Sequence, residues 1–321
     1  MQYILYHQVK PGVDCPDGIA AAWVAAKAYP DAQIIGVSYQ EDPPITPESG
    51  DIVIIVDFSY PADVINGWRD RGVQTILIDH HKTAQQMLQG LPVSPLIRQH
   101  FDMDECGATL AWKTFFPAEP MPAFLQYVRS RDLWLDCDLF AYPIPDTLIV
   151  HEAMSGLRWV MKKHAQDLSA HSHKYIFAAF DDLAELGQSA LLTWADRCAS
   201  SKLKAKREKC LAIASLHEWK TLNAPDVEKE LLDCDDWSGD YSYNIPVVEL
   251  TKDGTEDRYT SDVCMVLYRK FPNAPFVACI TSDGSWSLRS DRDGTNADVG
   301  AIAKALGGGG HRNAAGFHPD K

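Results

Sequence analysis

The chain has 321 residues, 46% of them hydrophobic, and a formal net charge of −14 from 44 acidic and 30 basic residues. This length exceeds the usual size of a single hydrophobic core and predicts two domains. Because long nucleic acid is held by basic surfaces that neutralise its phosphates, the acidic balance argues against a protein that tracks along long polymers.

Eight cysteines are scattered along the chain without a Cys-x-x-Cys pair. That distribution argues against a zinc ribbon and against a disulfide framework. The sequence has no apolar stretch long enough to span a membrane, and no basic segment followed by an apolar core at its start. We therefore expect a cytoplasmic protein with reduced thiols and no membrane partner.

The N-terminal region begins with a predicted strand, residues 3–6, which ends at His7. An Asp-Cys-Pro-Asp-Gly segment, residues 14–18, then leads into the alanine-rich stretch 19–26, whose composition favours a helix. Asp17 is therefore expected at the start of this helix.

Two mainly apolar runs, residues 52–56 after Asp51 and residues 75–78, predict neighbouring buried strands of a parallel sheet. Both runs stop at side chains that bind metals or transfer protons: Asp57 after the first, and Asp79, His80 and His81 after the second. In open α/β sheets, ligands gather beyond the carboxyl ends of the strands. Carboxylates mixed with imidazoles suit a divalent ion such as Mn²⁺ or Zn²⁺. For Asp57 alone, capping of the following helix is the alternative.

A further acid, Asp132, follows the amphipathic stretch 124–131, where either helix capping or metal binding is open to it. Residues from about 147 to 210 look mainly helical and connect the two predicted domains. The basic run 202–209 lies on this connection, and we favour a solvated helix face for it over a nucleic-acid track.

Strands return after about residue 211, and we predict them at 245–250, 276–280 and 286–290. An acidic, polar stretch around 233–240 is predicted to be a loop. Arg289 projects from the last of these strands and is suited to clamp a phosphate in bidentate fashion, with a surface arginine as the alternative.

Four consecutive glycines follow a predicted helix at 299–306 and precede His311: Gly307, Gly308, Gly309 and Gly310. Glycines allow positive φ and let backbone N–H groups approach an anion closely. The alternative is a helix C-cap followed by a loop, but a cap needs only one glycine. We therefore predict a phosphate- or nucleotide-binding site in this segment.

Together these motifs resemble the DHH phosphoesterase family, which is named for the triplet seen here at 79–81. The four usual motifs have counterparts in order: His7 with residues 15–18, then 56–58, 79–81 and 131–134. Residues 286–290 and 307–317 resemble the signature of the associated domain found in nanoRNase, cyclic-dinucleotide phosphodiesterase and RecJ-type members. The resemblance spans nearly the full chain.

Both the pattern of strands and helices in the sequence and the family resemblance predict an α/β fold. Alternating strands and helices over residues 1–135 predict a parallel, doubly wound sheet in the N-terminal domain. A helical connector and a smaller mixed-sheet α/β domain at the C-terminus are expected after it. The resemblance implies a metal-binding phosphoesterase domain with a helical extension at 1–200, and an associated substrate-binding domain at 205–321.

The resemblance also assigns roles to the site residues. It implies that Asp57 bridges two divalent ions. Mn²⁺ is the expected metal, and Mg²⁺ is the alternative. The remaining implied metal ligands are His7, Asp17, His80 and Asp132. The catalytic roles beside the substrate phosphate fall to His81 and Asp79, and the substrate-binding roles to Arg289, Gly308, Gly309, Gly310 and His311.

The first motif departs from the family pattern. Members usually carry two acids separated by one residue after the histidine, and here Cys15 occupies the place of the first acid. Three alternatives follow: Cys15 binds metal as a thiolate, Asp14 substitutes for the missing acid, or that metal is weakly held. A small buried residue is the ordinary structural role of a free cysteine.

The function implied by the resemblance is a metal-dependent phosphodiesterase, a hydrolase that cleaves short oligonucleotides or small nucleotide phosphoesters with water activated by two metals. Its expected partner is a short oligonucleotide or dinucleotide substrate, and a homodimer is left open. The alternatives are a single-strand-specific exonuclease on longer nucleic acid, and a non-catalytic nucleotide sensor whose altered first motif has lost one metal.

Overall fold

The computed structural model describes residues 1–39, 41–137, 141, 144–165, 172–225, 240–290 and 297–319. The described residues of 1–137 and 142–201 form one compact unit, and those of 202–321 form most of a second. The assignment of these units to a phosphoesterase domain and an associated domain stays a prediction. The stretch 233–240, predicted to be a loop, lies outside the described residues except for Asp240.

The first unit is built on a six-stranded sheet. Its strands are β1 (Gln2–Lys10), β2 (Val13–Asp14), β3 (Gln33–Ser38), β4 (Ile52–Val56), β5 (Gln74–Asp79) and β6 (Ile97–Phe101). Five of them run parallel in the order β3-β1-β4-β5-β6, and the short β2 pairs antiparallel with the end of β1. The strand order therefore reverses between β1 and β4, the kind of position where open α/β sheets bind ligands.

The central strands are buried on both faces. Register places Leu5, Ile55 and Leu77 side by side on one face, where Ile65 and Trp68 join the same core cluster. The neighbouring positions point to the opposite face and are equally buried: Ile4, Ile54 and Ile76. Burial on both faces explains why these strands are continuous apolar runs rather than alternating ones.

Where the chain is described, eight α-helices complete the first unit and lead into the second: α1 (Pro16–Ala28), α2 (Ala62–Asp70), α3 (Lys82–Met87), α4 (Gly107–Phe115), α5 (Ala123–Asp132), α6 (Asp146–Ala165), α7 (Ser172–Ala184) and α8 (Gln188–Ala214). The predicted helical region at 147–210 corresponds to the last three of these. β1, which was expected to end at His7, continues to Lys10 because it forms a hairpin with β2.

An aromatic cluster around Trp23 fixes the helices that carry site residues. The Trp23 ring lies 6.1 Å from Trp112 of α4, 5.4 Å from Phe124 of α5 and 6.0 Å from Phe180 of α7. Its indole N–H donates to Asp181 at 3.1 Å. This cluster holds α1, α4 and α5 in fixed positions, which matters because Asp17 lies near the start of α1 and Asp132 is the last residue of α5.

The second unit has a mixed sheet in the order β11-β12-β10-β9-β8-β7. Its strands are β7 (Glu218–Pro225), β8 (Asp240–Glu249), β9 (Val277–Ile280), β10 (Trp286–Arg289), β11 (Gly309–His311) and β12 (Ala314–Phe317). Only β8 and β9 are parallel neighbours among these pairs. Two α-helices, α9 (Thr260–Lys270) and α10 (Val299–Ala305), belong to this unit.

The predicted α/β class is confirmed, with two sheets and ten α-helices in the described residues. Across the same parts of the chain, every helix is too short or too polar to cross a membrane.

Candidate metal centre

Asp57 occupies the position directly after β4, beside the reversal of strand order. Its φ of 64° is a left-handed conformation that residues other than glycine rarely adopt, although Asp tolerates it better than most. Its backbone N–H donates to the Ile78 carbonyl at 3.0 Å, which continues the pairing of β4 with β5. Such a conformation costs about 1–3 kcal/mol and is typical of functional sites.

His80 brings together carboxylates from three different elements. Its Nε2 atom lies 3.1 Å from Asp57 Oδ1, 3.6 Å from Asp17 Oδ2 and 3.5 Å from Asp132 Oδ2. The His80 and Asp17 side chains are both 1% exposed. The structure therefore gathers three of the other four predicted metal ligands around the His80 imidazole.

The fifth predicted ligand, His7, approaches the other side of Asp57, with Nδ1 3.4 Å from Asp57 Oδ2. The side chains thus form two groups in which the potential ligand atoms all lie within 4.8 Å of one another: His7, Cys15 and Asp57 in the first ligand group, and Asp17, His80 and Asp132 in the second ligand group. The contact between Asp57 and His80 joins the two groups.

These residues fit divalent cations. In the described part of the chain, the buried site atoms without a hydrogen bond include Nε2 of His7, Oδ2 of Asp57 and Oδ2 of Asp132. A buried polar atom without a hydrogen bond costs roughly 1–3 kcal/mol, and more when it is charged. Cations placed among three carboxylates and two imidazoles would satisfy these atoms and offset the negative charge.

The pKa values of the site residues reflect this crowding. Burial, followed by the charges of Asp57 and Asp132, raises the pKa of Asp17 well above its usual value. Burial would lower the pKa of His80, but the hydrogen bond to Asp57 and the surrounding carboxylates raise it to about 10. Burial would likewise raise the pKa of Asp57, but interactions with His7 and His80 hold it well below its usual range.

Asp17 also has a structural partner that the sequence did not indicate. Its carboxylate accepts hydrogen bonds from the backbone N–H groups of Gly107 at 2.6 Å and Ala108 at 2.8 Å, at the N-terminus of α4. A Cβ atom on Gly107 would lie 2.8 Å from Asp57 Cβ and 3.0 Å from Asp17 Oδ2. Gly107 is therefore a site residue that sequence reasoning missed, and its close approach to both acids depends on having no side chain.

Asp79 lies behind the site and orients His81. Its carboxylate accepts hydrogen bonds from the backbone N–H of His80 at 2.7 Å, the backbone N–H of His81 at 3.0 Å and the Ser59 hydroxyl at 2.8 Å. The same carboxylate contacts His81 Nδ1 at 2.7 Å. Burial would raise the pKa of Asp79, but these interactions lower it. Asp79 thus holds the His81 ring so that Nε2 faces away from it.

Tyr39 is a second residue that sequence reasoning missed. Its ring lies 4.4 Å from the His7 ring, and its hydroxyl lies 3.3 Å from His81 Nε2. Although it contacts two site residues, Tyr39 is 52% exposed. It follows β3 directly, so the strand-end reasoning that selected Asp57 would also have selected this residue.

The structure separates Asp14 from Cys15. Asp14 accepts hydrogen bonds from the Tyr6 hydroxyl at 2.9 Å and from Gln8 Nε2 at 2.8 Å. Within the described residues it belongs to neither ligand group, whereas Cys15 belongs to the first. Of the three alternatives for the altered motif, substitution by Asp14 has no geometric support.

In the second unit, Arg289 and His311 share one face of the sheet. Ala314 of β12 pairs with Arg289 on one side and with His311 on the other, so all three side chains point the same way. The Arg289 guanidinium donates to the Ser287 hydroxyl at 3.0 Å and the Ser261 hydroxyl at 2.9 Å. Substrate binding by these residues stays a prediction.

Steric constraints explain why two of the four consecutive glycines have no side chain. A Cβ on Gly308 would overlap the Gly316 carbonyl oxygen, and Gly310 has φ of 141° with its Cβ position 2.6 Å from the Ala314 carbonyl oxygen. Gly309 has open space around its Cβ position. Close packing against β12 therefore explains Gly308 and Gly310 without a ligand, and a phosphate-binding role for the run stays a prediction.

The basic run at 202–209 forms ion pairs within the second unit. Lys206 contacts Asp262 at 2.7 Å and Lys209 contacts Glu256 at 2.8 Å. The Lys206 side chain is only 16% exposed. This part of α8 is therefore partly a packing surface, and neither the solvated face we favoured nor a nucleic-acid track describes it fully.

No family model matches the chain. Among curated proteins it is similar to the uncharacterized protein R106 of Acanthamoeba polyphaga mimivirus, with 26% identity over 271 residues. That region covers 83% of this chain and 52% of the viral protein, so the chain spans about half the length of this relative.

Three solved structures resemble the chain, each with a TM-score below 0.5. An uncharacterized protein from Helicobacter pylori G27 has 15% identity and a TM-score of 0.42, covering 100% of this chain and 93% of its own. The pGpG-specific phosphodiesterase PggH from Vibrio cholerae has 14% identity and a TM-score of 0.45, with coverages of 98% and 92%. An exopolyphosphatase-related protein from Bacteroides fragilis has 13% identity and a TM-score of 0.39, with coverages of 99% and 86%. Likeness at this level leaves function to be inferred from the chain's own residues.

Proposed function

We propose that the protein is a divalent-metal-dependent phosphodiesterase that hydrolyses short oligonucleotides, dinucleotides or small nucleotide phosphoesters. The observation that carries this proposal is the pair of ligand groups joined by the 3.1 Å contact between Asp57 and His80. Phosphodiester hydrolysis commonly uses two adjacent metals that share a site. A purely structural role gives no reason to bury so many charged and unpaired atoms together.

The first ligand group would hold one divalent ion and the second ligand group the other, with Asp57 between them. Carboxylates combined with imidazoles suit Mn²⁺, and Mg²⁺ is the alternative where carboxylates dominate. When bound, such ions supply the acidification of the attacking water and the neutralisation of charge on the phosphoryl oxygens.

The chain's own groups position the substrate. Asp79 fixes the His81 ring through Nδ1, and the Nε2 side of the ring, where the Tyr39 hydroxyl lies at 3.3 Å, would face the substrate phosphate. In the second unit, Arg289 and His311 face the same way from neighbouring positions of the sheet and would contact a terminal phosphate. The net charge of −14 favours short substrates, because long nucleic acid needs extended basic surfaces.

An end-labelled ladder of single strands, from dinucleotides to long oligonucleotides, tests the proposal. We expect loss of the shortest species with Mn²⁺, no loss with chelator, and no loss with Asp57→Ala. Asp31→Asn is the matched control, because Asp31 is an exposed acid outside both ligand groups. Preferential attack on the long species would instead identify an exonuclease.

A non-catalytic nucleotide sensor is the second candidate, and the cysteine in the first ligand group motivates it. Absence of hydrolysis with every metal, together with tight nucleotide binding by calorimetry, would establish the sensor and reject the phosphodiesterase.

A further inference from the structure

Cys15 lies where a metal ligand would be expected. It precedes α1 as the N-cap residue, and its Sγ is within 4.8 Å of potential ligand atoms of His7 on β1 and Asp57 after β4. The Asp57 side chain is 2% exposed, and its Oδ2 atom, 3.4 Å from His7 Nδ1, makes no hydrogen bond within the described residues. An unsatisfied buried oxygen in the same group is an independent sign that the group has a missing partner.

The surroundings of Cys15 do not match the ordinary role of a small buried residue. Cys15 is partly exposed, whereas Cys106 at the start of α4 is fully buried. Its thiol lies among potential metal-ligand atoms of His7 and Asp57, so metal binding is the chemistry that its position favours.

The donor atoms of the two ligand groups differ in kind. The first ligand group offers one sulfur, one imidazole nitrogen and one carboxylate, and the second offers two carboxylates and one imidazole. Thiolates select softer ions such as Zn²⁺, whereas carboxylates suit Mn²⁺ and Mg²⁺. Two adjacent positions with such different donors are expected to prefer different metals.

We propose that Cys15 binds metal as a thiolate and makes the first ligand group a zinc-selective position beside a harder, Mn²⁺- or Mg²⁺-type position at the second. This proposal deepens the proposed function by naming the metals that the two ligand groups prefer. It rests on the proposed function because both require a metal centre at these groups. Metal binding is measured without turnover, so the two proposals fail separately.

Cobalt substitution tests the thiolate directly. A sulfur-to-cobalt charge-transfer band in the near ultraviolet is expected when Co²⁺ is added to the metal-free protein. The band should disappear in Cys15→Ser and persist in Cys106→Ser and Cys198→Ser, of which Cys198 is an exposed control. Persistence of the band in Cys15→Ser, or absence of the band in the unmodified protein, would overturn the proposal.

X-ray absorption on the zinc-loaded, unmodified protein avoids any question of variant folding. We expect a zinc–sulfur distance of about 2.3 Å. A zinc environment containing only nitrogen and oxygen would overturn the proposal.

Cys15→Asp tests the selectivity, because it installs a carboxylate in place of the thiol. Its zinc affinity is expected to fall by at least about tenfold, the loss that even outer-shell changes cause, while Mn²⁺ affinity is retained or rises. Unchanged zinc affinity would count against the thiolate. A protein that shows the cobalt band and the zinc–sulfur distance but hydrolyses no phosphodiester would leave this inference standing and reject the proposed function.

Discussion

The His80 imidazole and the Asp57 carboxylate meet at 3.1 Å, although the two residues follow different strands and lie 23 positions apart. Parallel pairing of β4 with β5 brings both strand ends to one edge of the sheet. Because this contact joins the two ligand groups, a change at Asp57 is expected to affect both metal positions rather than one.

Asp57→Asn tests this coupling. Asn tolerates the left-handed backbone conformation at this position, so the fold should be retained while the bridging charge is lost. We expect the affinity for Zn²⁺ at the first ligand group and for Mn²⁺ at the second to fall by at least about tenfold in calorimetric titrations. Asp31→Asn should titrate like the unmodified protein, and two ions bound with unchanged affinity in Asp57→Asn would contradict the bridging role.

A pair of glycine substitutions tests the packing beneath the site. Gly107→Ala would place a methyl group 2.8 Å from Asp57 Cβ, and such overpacking typically costs about 1–3 kcal/mol of unfolding free energy. Displacement of Asp57 should weaken Mn²⁺ binding as well. Urea denaturation and metal titration measure the two effects.

The control for that substitution is Gly67→Ala. Gly67 lies within α2 and has nothing within 4 Å of its Cβ position. Alanine should therefore stabilise the helix by about 0.5–1 kcal/mol and leave metal binding unchanged. Equal changes in unfolding free energy and in Mn²⁺ affinity for the two variants would show that space around Gly107 does not constrain the site.

The sequence located this site largely through the ends of strands. Apolar runs that stop at Asp57 and at residues 79–81 are visible without a structure, because buried parallel strands are continuous and apolar. Gly107 was not visible in this way, since its importance depends on contacts with Asp17, 90 positions away. The β1–β2 hairpin was also missed, although its Pro-Gly turn at 11–12 is a recognised signal.

A turn in the second unit gives a pH-dependent prediction. Asp283, between β9 and β10, accepts hydrogen bonds from the Thr281 hydroxyl at 2.6 Å and the Ser285 N–H at 3.0 Å. These bonds lower the pKa of Asp283 from 3.8 to about 2. The stabilisation is present above the unfolded pKa and is lost as the pH falls through the folded pKa, that is, between about pH 4 and pH 2.

Asp283→Asn should therefore destabilise the protein at neutral pH and make little difference near pH 2. Because Asp283 is exposed, solvent screening limits the effect to about 1 kcal/mol. Denaturant unfolding at the two pH values measures it. A loss of equal size at both would show that the carboxylate charge contributes nothing to the turn.

Arg289→Lys tests the predicted phosphate contact in the second unit. Lysine keeps the charge but loses the planar fork that binds phosphate at two points, so KM for a dinucleotide should rise by about tenfold while kcat changes little. Lys304→Arg in α10 is the control for exchanging one basic residue for another. Because Lys304 is exposed, KM should not change in this variant. A fall in kcat at unchanged KM would place Arg289 in the chemical step instead.

Tyr39 offers the sharpest test of whether a nucleotide base enters the site. Its half-exposed ring lies against His7, and stacking of a base on an aromatic ring is worth about 1–3 kcal/mol. Tyr39→Ala should therefore raise KM for a dinucleotide by about tenfold, whereas Tyr39→Phe, which keeps the ring, should not. An abasic dinucleotide analogue has no base to stack and should show the same KM with all three proteins. If Tyr39→Ala raised KM equally for the dinucleotide and for its abasic analogue, the ring would act by supporting His7 and His81 instead. The Tyr39 hydroxyl lies 3.3 Å from His81 Nε2.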